Sequence, residues 1–222
     1  MKALRLLMLC TLSSCAATDN VPYIEEAQTA GIFLDLGGRD TLAAGVALRP
    51  IYEKGLGVTK SSEGFRAQLY EDVARYCTIG YGHLIKRAPC NGTEAPNFLR
   101  GLSEPEGTVV LTSDMAGAQR VVQVAVEVDL NDAQFAALCD FVFNVGPTNF
   151  KNSALLRAVN AGEFDRVPAQ MRRWTLAGGK AVKGLANRRE AEIRLFFDGS
   201  FVPRGAPGTG EDLSPLDILP HS

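Results

Sequence analysis

The sequence predicts a predominantly helical α+β domain that combines a small antiparallel sheet with a long central helix. Between Phe65 and Ile85, Tyr, Thr, Ile and Gly are frequent and helical periodicity is lacking, which is typical of short paired strands. From Asn131 onward, apolar residues instead recur at helical spacing. Further helical segments separated by glycine-rich turns follow this one. We therefore expect short paired strands, followed by the central helix and by further helices.

The first predicted helix begins near Pro50 and runs to about Ser62. Proline is tolerated in the first turn of a helix, because its missing N–H would have no intrahelical partner there. Glu63 then lies at the C-terminal end of this helix. In the sheet that follows, Gly80 and Gly82 permit tight bends of the chain.

The next part of the sequence gives conflicting signals. Residues 86–111 are rich in Pro, Gly and Asn, which predicts a loop. Thr112 or Ser113 can then cap a helix. Four valines within that segment instead alternate with other residues, as they would in a strand: Val122, Val124, Val126 and Val128.

The central helix has the strongest signal in the chain. Asn131 followed by Gln134 resembles a capping box, in which each residue's side chain accepts from the other's backbone N–H. The apolar residues of one face follow at helical spacing: Phe135, Leu138, Cys139, Val142 and Phe143. We expect this face to be buried and to form the core.

Helices are predicted near residues 153–160, 164–174 and 185–197. Pro168 fits the second of them only if it lies near the start of a helix. From Gly199 onward the tail is rich in proline and glycine, and we expect it to be flexible. Trp174, the only tryptophan in the sequence, suits either stacking on a sugar or packing in the interior.

The composition fits one globular domain with extensions. The chain has 222 residues, of which 46% are hydrophobic and 22% charged. Its formal net charge of −2 gives no reason to expect a nucleic-acid partner. Residues 151–197 carry ten Lys or Arg against four Asp or Glu. This local excess predicts either a surface for an anionic polymer or an ordinary solvated face.

Residues 1–17 are predicted to be an export signal. Basic residues precede an apolar run from Leu6 to Leu12, which is far shorter than the roughly 20 residues of a membrane-spanning helix. The sequence Leu-Ser-Ser-Cys ending at Cys15 resembles a bacterial lipoprotein box, in which the cysteine becomes lipidated and anchors the protein. The alternatives are plain cleavage near Ala16 and a retained N-terminal anchor. Residues 18–49 are predicted to be a linker, residues 50–198 the folded domain and residues 199–222 the tail.

The remaining cysteines fit an exported protein. Cys77 and Cys90 lie on either side of the predicted Gly80–His83 turn, where chain reversal can bring them together in a disulfide. The alternative is two unpaired thiols. Cys139 falls on the apolar face of the central helix and is expected in the core. Because the only histidines are His83 and His221, no metal cluster is expected.

The chemistry-bearing residues are concentrated in one string. It consists of Glu63-Gly64, then Tyr-Glu-Asp ending at Asp72, then Thr-Ile-Gly-Tyr-Gly-His beginning at Thr78. Asp72 lies nine positions after Glu63, and Thr78 lies six positions after Asp72. Two carboxylates that flank a bond are the usual apparatus for glycoside hydrolysis, in which one donates a proton and the other stays ionised.

This string resembles the catalytic segment of the phage T4-type lysozymes, the endolysin-like muramidases. Downstream segments resemble the family's later motifs in the same order: Phe141–Gly146, Ser153–Leu156, Asn160–Gly162, Trp174, Gly178–Lys180 and Gly184–Glu192. The resemblance covers roughly residues 50–198. It implies a lysozyme-like two-lobed fold, and the family's order of elements favours a helix over a strand at Val122 to Val128.

The resemblance implies a bacteriolytic peptidoglycan hydrolase that works without a cofactor, as a monomer. Glu63 would be the general acid, and Asp72 and Thr78 would position the attacking water. Arg188 corresponds to the family's arginine that pairs with the catalytic glutamate. A neighbouring cation lowers a carboxyl pKa whereas burial raises it, so the net direction for Glu63 stays open.

The string and the core helix contain three further polar residues for which we state an expectation. Glu71 precedes Asp72 and would point to the opposite face of a strand. His83 is expected to hold local geometry, and Asn144 is expected to face the cleft.

Other functions remain open from the sequence. A lytic transglycosylase would use one acidic residue and the sugar's own hydroxyl as nucleophile. A wall-binding module would keep the fold without catalysis, and a chitinase-like specificity would use the same chemistry on a related glycan. The Gly80–Gly82 pair lacks the third glycine of a nucleotide-binding loop, and no serine-hydrolase motif is present.

Overall fold

The computed structural model describes residues 40–205 and 210–218. The elements within these ranges, in chain order, are α1 (Glu53–Glu63), β1 (Arg66–Glu71), β2 (Cys77–Gly80), β3 (His83–Lys86), α2 (Pro96–Leu99), α3 (Glu104–Asp114), α4 (Ala116–Ala125), α5 (Asp132–Val145), α6 (Pro147–Lys151), α7 (Ala154–Asn160), a 3-10 turn (Phe164–Arg166), α8 (Val167–Arg172), β4 (Trp174–Ala177), β5 (Lys180–Ala181), α9 (Lys183–Phe196) and β6 (Leu216–Asp217). The export signal predicted for residues 1–17, with Cys15, and most of the predicted linker lie outside the described residues.

Helix α1 is shorter at its start than the sequence predicts, and it ends where expected. It begins at Glu53, so that Pro50 precedes the helix instead of lying in its first turn. Glu63 is its last residue. The chain then turns at Gly64, whose φ of 68° is the left-handed conformation that glycine adopts at low cost.

The predicted antiparallel sheet is present, with the strand order β1-β2-β3. Strand β2 is central and all four of its residues are buried. Tyr70 on β1 lies directly opposite Thr78 on β2, and Thr78 in turn lies opposite Leu84 on β3. Gly80 and Gly82 both have positive φ, which explains the glycines at this bend.

The segment after the sheet differs from the sequence prediction. The predicted loop 86–111 contains α2 and the beginning of α3. The cap of α3 is Ser103, which forms a capping box with Glu106, whereas Thr112 and Ser113 lie inside that helix. The valine-rich segment forms α4, as the order of motifs favoured, but this helix ends at Ala125.

Helix α5 is the centre of the molecule and packs against α1, α4 and α9. Its capping box between Asn131 and Gln134 is formed as the sequence predicts. Cys139 is completely buried and is a free thiol. Phe141 contacts Trp174 edge to face, with ring centroids 5.9 Å apart. Since Trp174 is only 6% exposed, it packs in the interior and does not present its ring to a sugar.

The helical lobe follows the prediction closely, with one addition. Helix α7 is capped by Ser153, Pro168 lies in the first turn of α8, and α9 begins at Lys183. Trp174 begins a strand instead of ending a helix, and this strand forms a second sheet of the order β5-β4-β6. The sequence did not predict this sheet, because its strands have two to four residues and show no periodicity.

Both ends of the described chain pack against the domain, beyond the boundaries that the sequence predicts. At the start, Arg49 donates to the carbonyl of Leu130, pairs with Asp132 and lies 4.6 Å from the Phe135 ring. At the end, β6 pairs with β4, and Ile218 is 1% exposed. The sequence predicted a flexible tail, but residues 210–218 pack against the domain through the strand pairing and the buried Ile218.

Cys77 and Cys90 are joined in a disulfide that closes a loop of 13 residues in sequence separation. It ties the start of β2, which carries Thr78, to the chain beyond β3. In the described ranges, the helices are too short or too polar to cross a membrane.

Candidate active site

Glu63 lies at the end of α1 with its carboxyl group turned into the protein. The residue is 7% exposed. Its Oε1 accepts a hydrogen bond of 2.6 Å from the guanidinium of Arg188 on α9. The arginine that the family resemblance assigned to the catalytic glutamate is thus its direct partner.

Arg188 bridges Glu63 to a second carboxylate. Its guanidinium donates to both oxygens of Asp140 on α5, at 3.0 and 2.9 Å. A planar guanidinium matches a carboxylate in this two-bond geometry, which fixes the arginine's orientation. One side chain therefore positions Glu63 relative to the central helix.

Two more ionisable side chains complete the group. Arg189 is 0% exposed, donates to Glu192 at 2.6 Å and to Asn144 at 2.8 Å, and lies over the Phe141 ring. Asn144 was expected to face the cleft, but it is buried and holds Arg189 instead. We call the following five residues the buried ionic cluster: Glu63, Asp140, Arg188, Arg189 and Glu192.

The members of the buried ionic cluster differ in their proton affinity. Burial raises the pKa of Glu63, and the charge and hydrogen bond of Arg188 only partly oppose this. The direction that the sequence left open is therefore upward. For Asp140, burial acts upward as well, but the charge and hydrogen bonds of Arg188, together with hydrogen bonds from Glu192 and Thr59, outweigh it and lower its pKa. Burial also raises the pKa of Glu192 well above its usual range.

Asp72 follows the last residue of β1 and is fixed by the turn that begins there. Its Oδ1 accepts from the backbone N–H groups of Ala74 at 2.9 Å and Tyr76 at 2.8 Å. Glu71, the neighbouring carboxylate, is exposed and pairs with Arg75. The two carboxylates thus have separate surroundings, because Asp72 lies in the turn after β1 and Glu71 is the last residue of the strand.

Thr78 is completely buried in the central strand β2. Its hydroxyl donates to the carbonyl of Tyr76 at 3.1 Å. Asp72 and Thr78 are therefore both bonded to the backbone of Tyr76, one to its N–H and the other to its carbonyl. This shared residue fixes the two side chains relative to each other.

Tyr70 belongs to the same site, although the sequence analysis assigned it no role. Burial raises the pKa of its phenol, the charge of Arg66 opposes this, and the negative charges of Glu63 and Asp72 raise it further. Tyr70 also lies directly opposite Thr78 across β1 and β2. The signal in the sequence is its place in the same short string as Asp72 and Thr78.

His83 supports the sheet, as expected, and its partner is now identified. Its Nδ1 lies 2.9 Å from a carboxylate oxygen of Asp114 at the end of α3. Its ring also lies against Phe98, with centroids 5.6 Å apart. These contacts tie β3 to the two helices that follow the sheet.

Among the described residues, the group with metal-like spacing consists of Cys77, Cys90 and Glu94. Both sulfurs belong to the disulfide, so neither is a thiolate ligand. Glu94 is held by Lys86 and by the backbone of Asn91, and these bonds lower its pKa to about 2. This group is a structural clamp on the loop after β3.

The basic excess of the helical lobe is largely neutralised within the protein. Six of its ten basic residues pair with carboxylates: Lys151, Arg166, Arg172, Arg173, Arg188 and Arg189. Several of these partners lie outside residues 151–197, so the count within that segment overstates the surface charge. The contacts favour the solvated-face interpretation over an anionic-polymer surface.

The comparisons with known proteins identify the family of the chain. Residues 60–192 match the family model described as phage lysozyme. The chain is 36% identical over 147 residues to the SAR-endolysin of Bacteriophage PS119, covering 66% of this chain and 83% of the relative. It is 32% identical to the SAR-endolysin of Enterobacteria phage P21, covering 73% of this chain and 90% of the relative.

Solved structures share the fold. A mutant of P22 lysozyme is 28% identical, with a TM-score of 0.57 over 67% of this chain and 98% of that one. The muramidase domain of SpmX from Asticaccaulis excentricus is 29% identical, with the same TM-score of 0.57 and the same coverages of 67% and 98%. Since the family model spans more than half of the sequence, the chain belongs to the phage lysozyme family and is a glycoside hydrolase of the peptidoglycan-degrading kind.

Proposed function

We propose that this chain is a muramidase, which hydrolyses the β-1,4 bond between N-acetylmuramic acid and N-acetylglucosamine with Glu63 as general acid. The observation that carries the proposal is the burial of Glu63, which raises its pKa despite the contact with Arg188. A carboxylic acid that retains its proton toward neutral pH can donate it to the leaving glycosidic oxygen.

The proposed reaction uses three side chains. Glu63 gives its proton to the glycosidic oxygen as the bond from that oxygen to the anomeric carbon breaks. A water attacks the anomeric carbon and passes a proton to Asp72, while Thr78 accepts the water's second hydrogen. This is the inverting mechanism, for which a spacing of about 6.5–9.5 Å between the two carboxyl groups leaves room for the water.

The fixed surroundings of Asp72 and Thr78 support these roles. Both bonds to Asp72 from the backbone fall on Oδ1, so Oδ2 is the oxygen available to a water. These two backbone bonds fix the orientation of the Asp72 carboxylate. The hydroxyl proton of Thr78 goes to the Tyr76 carbonyl, which leaves its oxygen as an acceptor.

Digestion of purified peptidoglycan tests the proposal, with the products identified by mass spectrometry. The full chain is compared with Glu63→Gln, which keeps the shape of the side chain but cannot donate a proton as an acid. Glu71→Gln is the matched control, since this exposed carboxylate lies in the same string and pairs only with Arg75 among the contacts described. We expect reducing-end muropeptides from the wild type and from Glu71→Gln, and none from Glu63→Gln.

The alternatives give different products. Anhydro-muropeptides would identify a lytic transglycosylase. Binding to sacculi without release of fragments would identify a wall-binding module. Cleavage of chitin oligosaccharides at the same rate as of peptidoglycan would replace the proposed substrate by a chitinase-like one.

We also propose that the chain is exported and lipidated at Cys15, so that it acts in the bacterial envelope. The sequence around Cys15 supports this proposal. Cleavage near Ala16 and a retained N-terminal anchor are the competing outcomes. Metabolic labelling with a palmitate analogue decides between them: label on the wild type but not on Cys15→Ser is expected, and an unlabelled wild type would refute lipidation.

A further inference from the structure

The phenol hydroxyl of Tyr70 is buried and has no hydrogen-bond partner among the described residues. This is unusual for a tyrosine, because a hydroxyl that leaves water without a new partner costs roughly 1–3 kcal/mol. The other buried tyrosine of the sheet lobe, Tyr81, follows the rule and donates to Glu104 at 2.9 Å. A buried hydroxyl that has no hydrogen-bond partner lowers stability, so we looked for a functional reason for it.

The surroundings of Tyr70 place this donor at the proposed reaction centre. Tyr70 and Thr78 face each other across paired strands, so their side chains lie on the same side of the sheet. The negative charges of Glu63 and Asp72 both act on the hydroxyl. The guanidinium of Arg66 lies 4.4 Å from the centre of the tyrosine ring and holds the ring in place.

The hydrogen-bonding needs of an attacking water match this arrangement. Such a water has two hydrogens and two lone pairs. In the proposed mechanism, Asp72 and Thr78 are both acceptors and take the two hydrogens. One lone pair must point at the anomeric carbon, which leaves the other in need of a donor. Tyr70 supplies a donor with no other partner.

We propose that the Tyr70 hydroxyl is a third contact to the attacking water, and that it fixes the direction of the reacting lone pair. The inference rests on the proposed function. Tyr70 is then a catalytic residue, since it touches a reacting molecule. Its bond forms only with the water in place, which explains why the fold leaves the hydroxyl without a protein partner.

The test is Tyr70→Phe, which removes one oxygen and keeps the ring, its contact with Arg66 and the strand pairing. We expect kcat to fall by about tenfold, the size of one neutral hydrogen bond, with KM little changed. The melting temperature should stay the same or rise by roughly 2–4 °C, because an unsatisfied buried hydroxyl has been removed. A hydroxyl with a purely structural role would not give lower activity together with equal or greater stability.

Tyr81→Phe is the matched control, since it removes a hydroxyl that has a partner. We expect this variant to lose stability and to keep kcat. Wild-type kcat in Tyr70→Phe would overturn the inference, and so would a loss of stability equal to that of Tyr81→Phe. Glu63→Gln in the same assay separates the two failures. The proposed function fails if the wild type and Glu63→Gln release fragments at the same rate, or if the wild type releases anhydro-muropeptides, whatever the result for Tyr70→Phe.

Discussion

The buried ionic cluster contains one more carboxylate than it has cations, since Glu63, Asp140 and Glu192 surround Arg188 and Arg189. An uncompensated charge in the interior is costly, so such a group favours the retention of one proton. Asp140 is the least suited to hold it, because Arg188 lowers its pKa. Glu63 and Glu192, whose pKa values are raised, are the two residues that can carry it.

Removing the charge of Asp140 should change the pH dependence of activity. The negative charge of Asp140 raises the pKa of Glu63, so Asp140→Asn should lower it. Activity requires protonated Glu63 and is lost as the pH rises through its pKa. The alkaline limb of the kcat/KM profile should therefore move to lower pH, as measured with peptidoglycan fragments at a temperature where both proteins are folded.

Asp114→Asn is the control for this prediction, because Asp114 pairs with His83 on the sheet and is not among the charges that act on Glu63. Its alkaline limb should coincide with that of the wild type. A limb that moves upward in Asp140→Asn, or equally in both variants, would contradict the role given to the buried ionic cluster.

At the scale of single residues, the sequence predicts the partners that a motif carries but not those that the fold assembles. Arg188 could be paired with Glu63 in advance because both belong to family motifs. Asp140 and Glu192 could not, since they are 52 residues apart and meet only when α5 packs against α9. One signal in the sequence could have indicated a buried ion pair. Asp140 is a carboxylate that lies between two core residues of the central helix, Cys139 and Phe141.

Helix α1 carries Glu63, and its position depends on how closely it approaches α5. Gly55 is the contact point: a Cβ atom at this residue would lie 2.4 Å from the Cβ of Ala136. At Gly57, two residues further along the same helix, a Cβ atom would meet nothing within 4 Å. Substituting each of these two glycines by alanine therefore distinguishes the effect of helix packing on stability from the effect of helix propensity.

Gly55→Ala should destabilise the protein by about 1–3 kcal/mol, because a buried methyl group would force two packed helices apart. Gly57→Ala should instead stabilise it by up to about 1 kcal/mol, since alanine restricts the unfolded chain and favours the helix. Chemical denaturation of the two variants measures both effects. Equal changes in the free energy of unfolding would show that α1 does not depend on its contact with α5.

Capping boxes predicted the secondary structure of the helices better than the alternation of apolar residues did. The Asn131–Gln134 box located the start of α5 to the residue. Of the four valines that alternate like a strand, Val122 and Val124 lie in α4, whereas Val126 caps its end and Val128 follows it. The alternating valines wrongly suggested a strand. Val121 and Val122 are both buried, which a helix allows for consecutive residues but a strand with one buried face does not. The Ser103–Glu106 box of α3 was available in the sequence as well, but the prolines and glycines around it favoured a loop.

The whole molecule extends past the predicted domain on both sides, because short segments dock onto the helical lobe and the core. Asp217 accepts from the backbone N–H of Gly178 at 3.1 Å and also from that of Gly179, so it holds the β4–β5 turn. Glu211 pairs with Arg166 of the 3-10 turn. Composition suggested flexibility because it averages over the tail, whereas the docking depends on a few contact residues.

The docking of residues 210–218 predicts that the tail contributes to stability, with Ile218 as its main anchor. Ile218→Ala should lower the free energy of unfolding by about 2–5 kcal/mol, because it empties a site where the side chain is 1% exposed. Leu213→Ala is the control: this residue of the same segment is 36% exposed and should change stability little. Both variants should keep the wild-type kcat on peptidoglycan, since neither residue lies among the proposed catalytic groups. Equal denaturation midpoints for Ile218→Ala and the wild type would contradict the docking of residues 210–218 and would favour the flexible tail that the composition suggests.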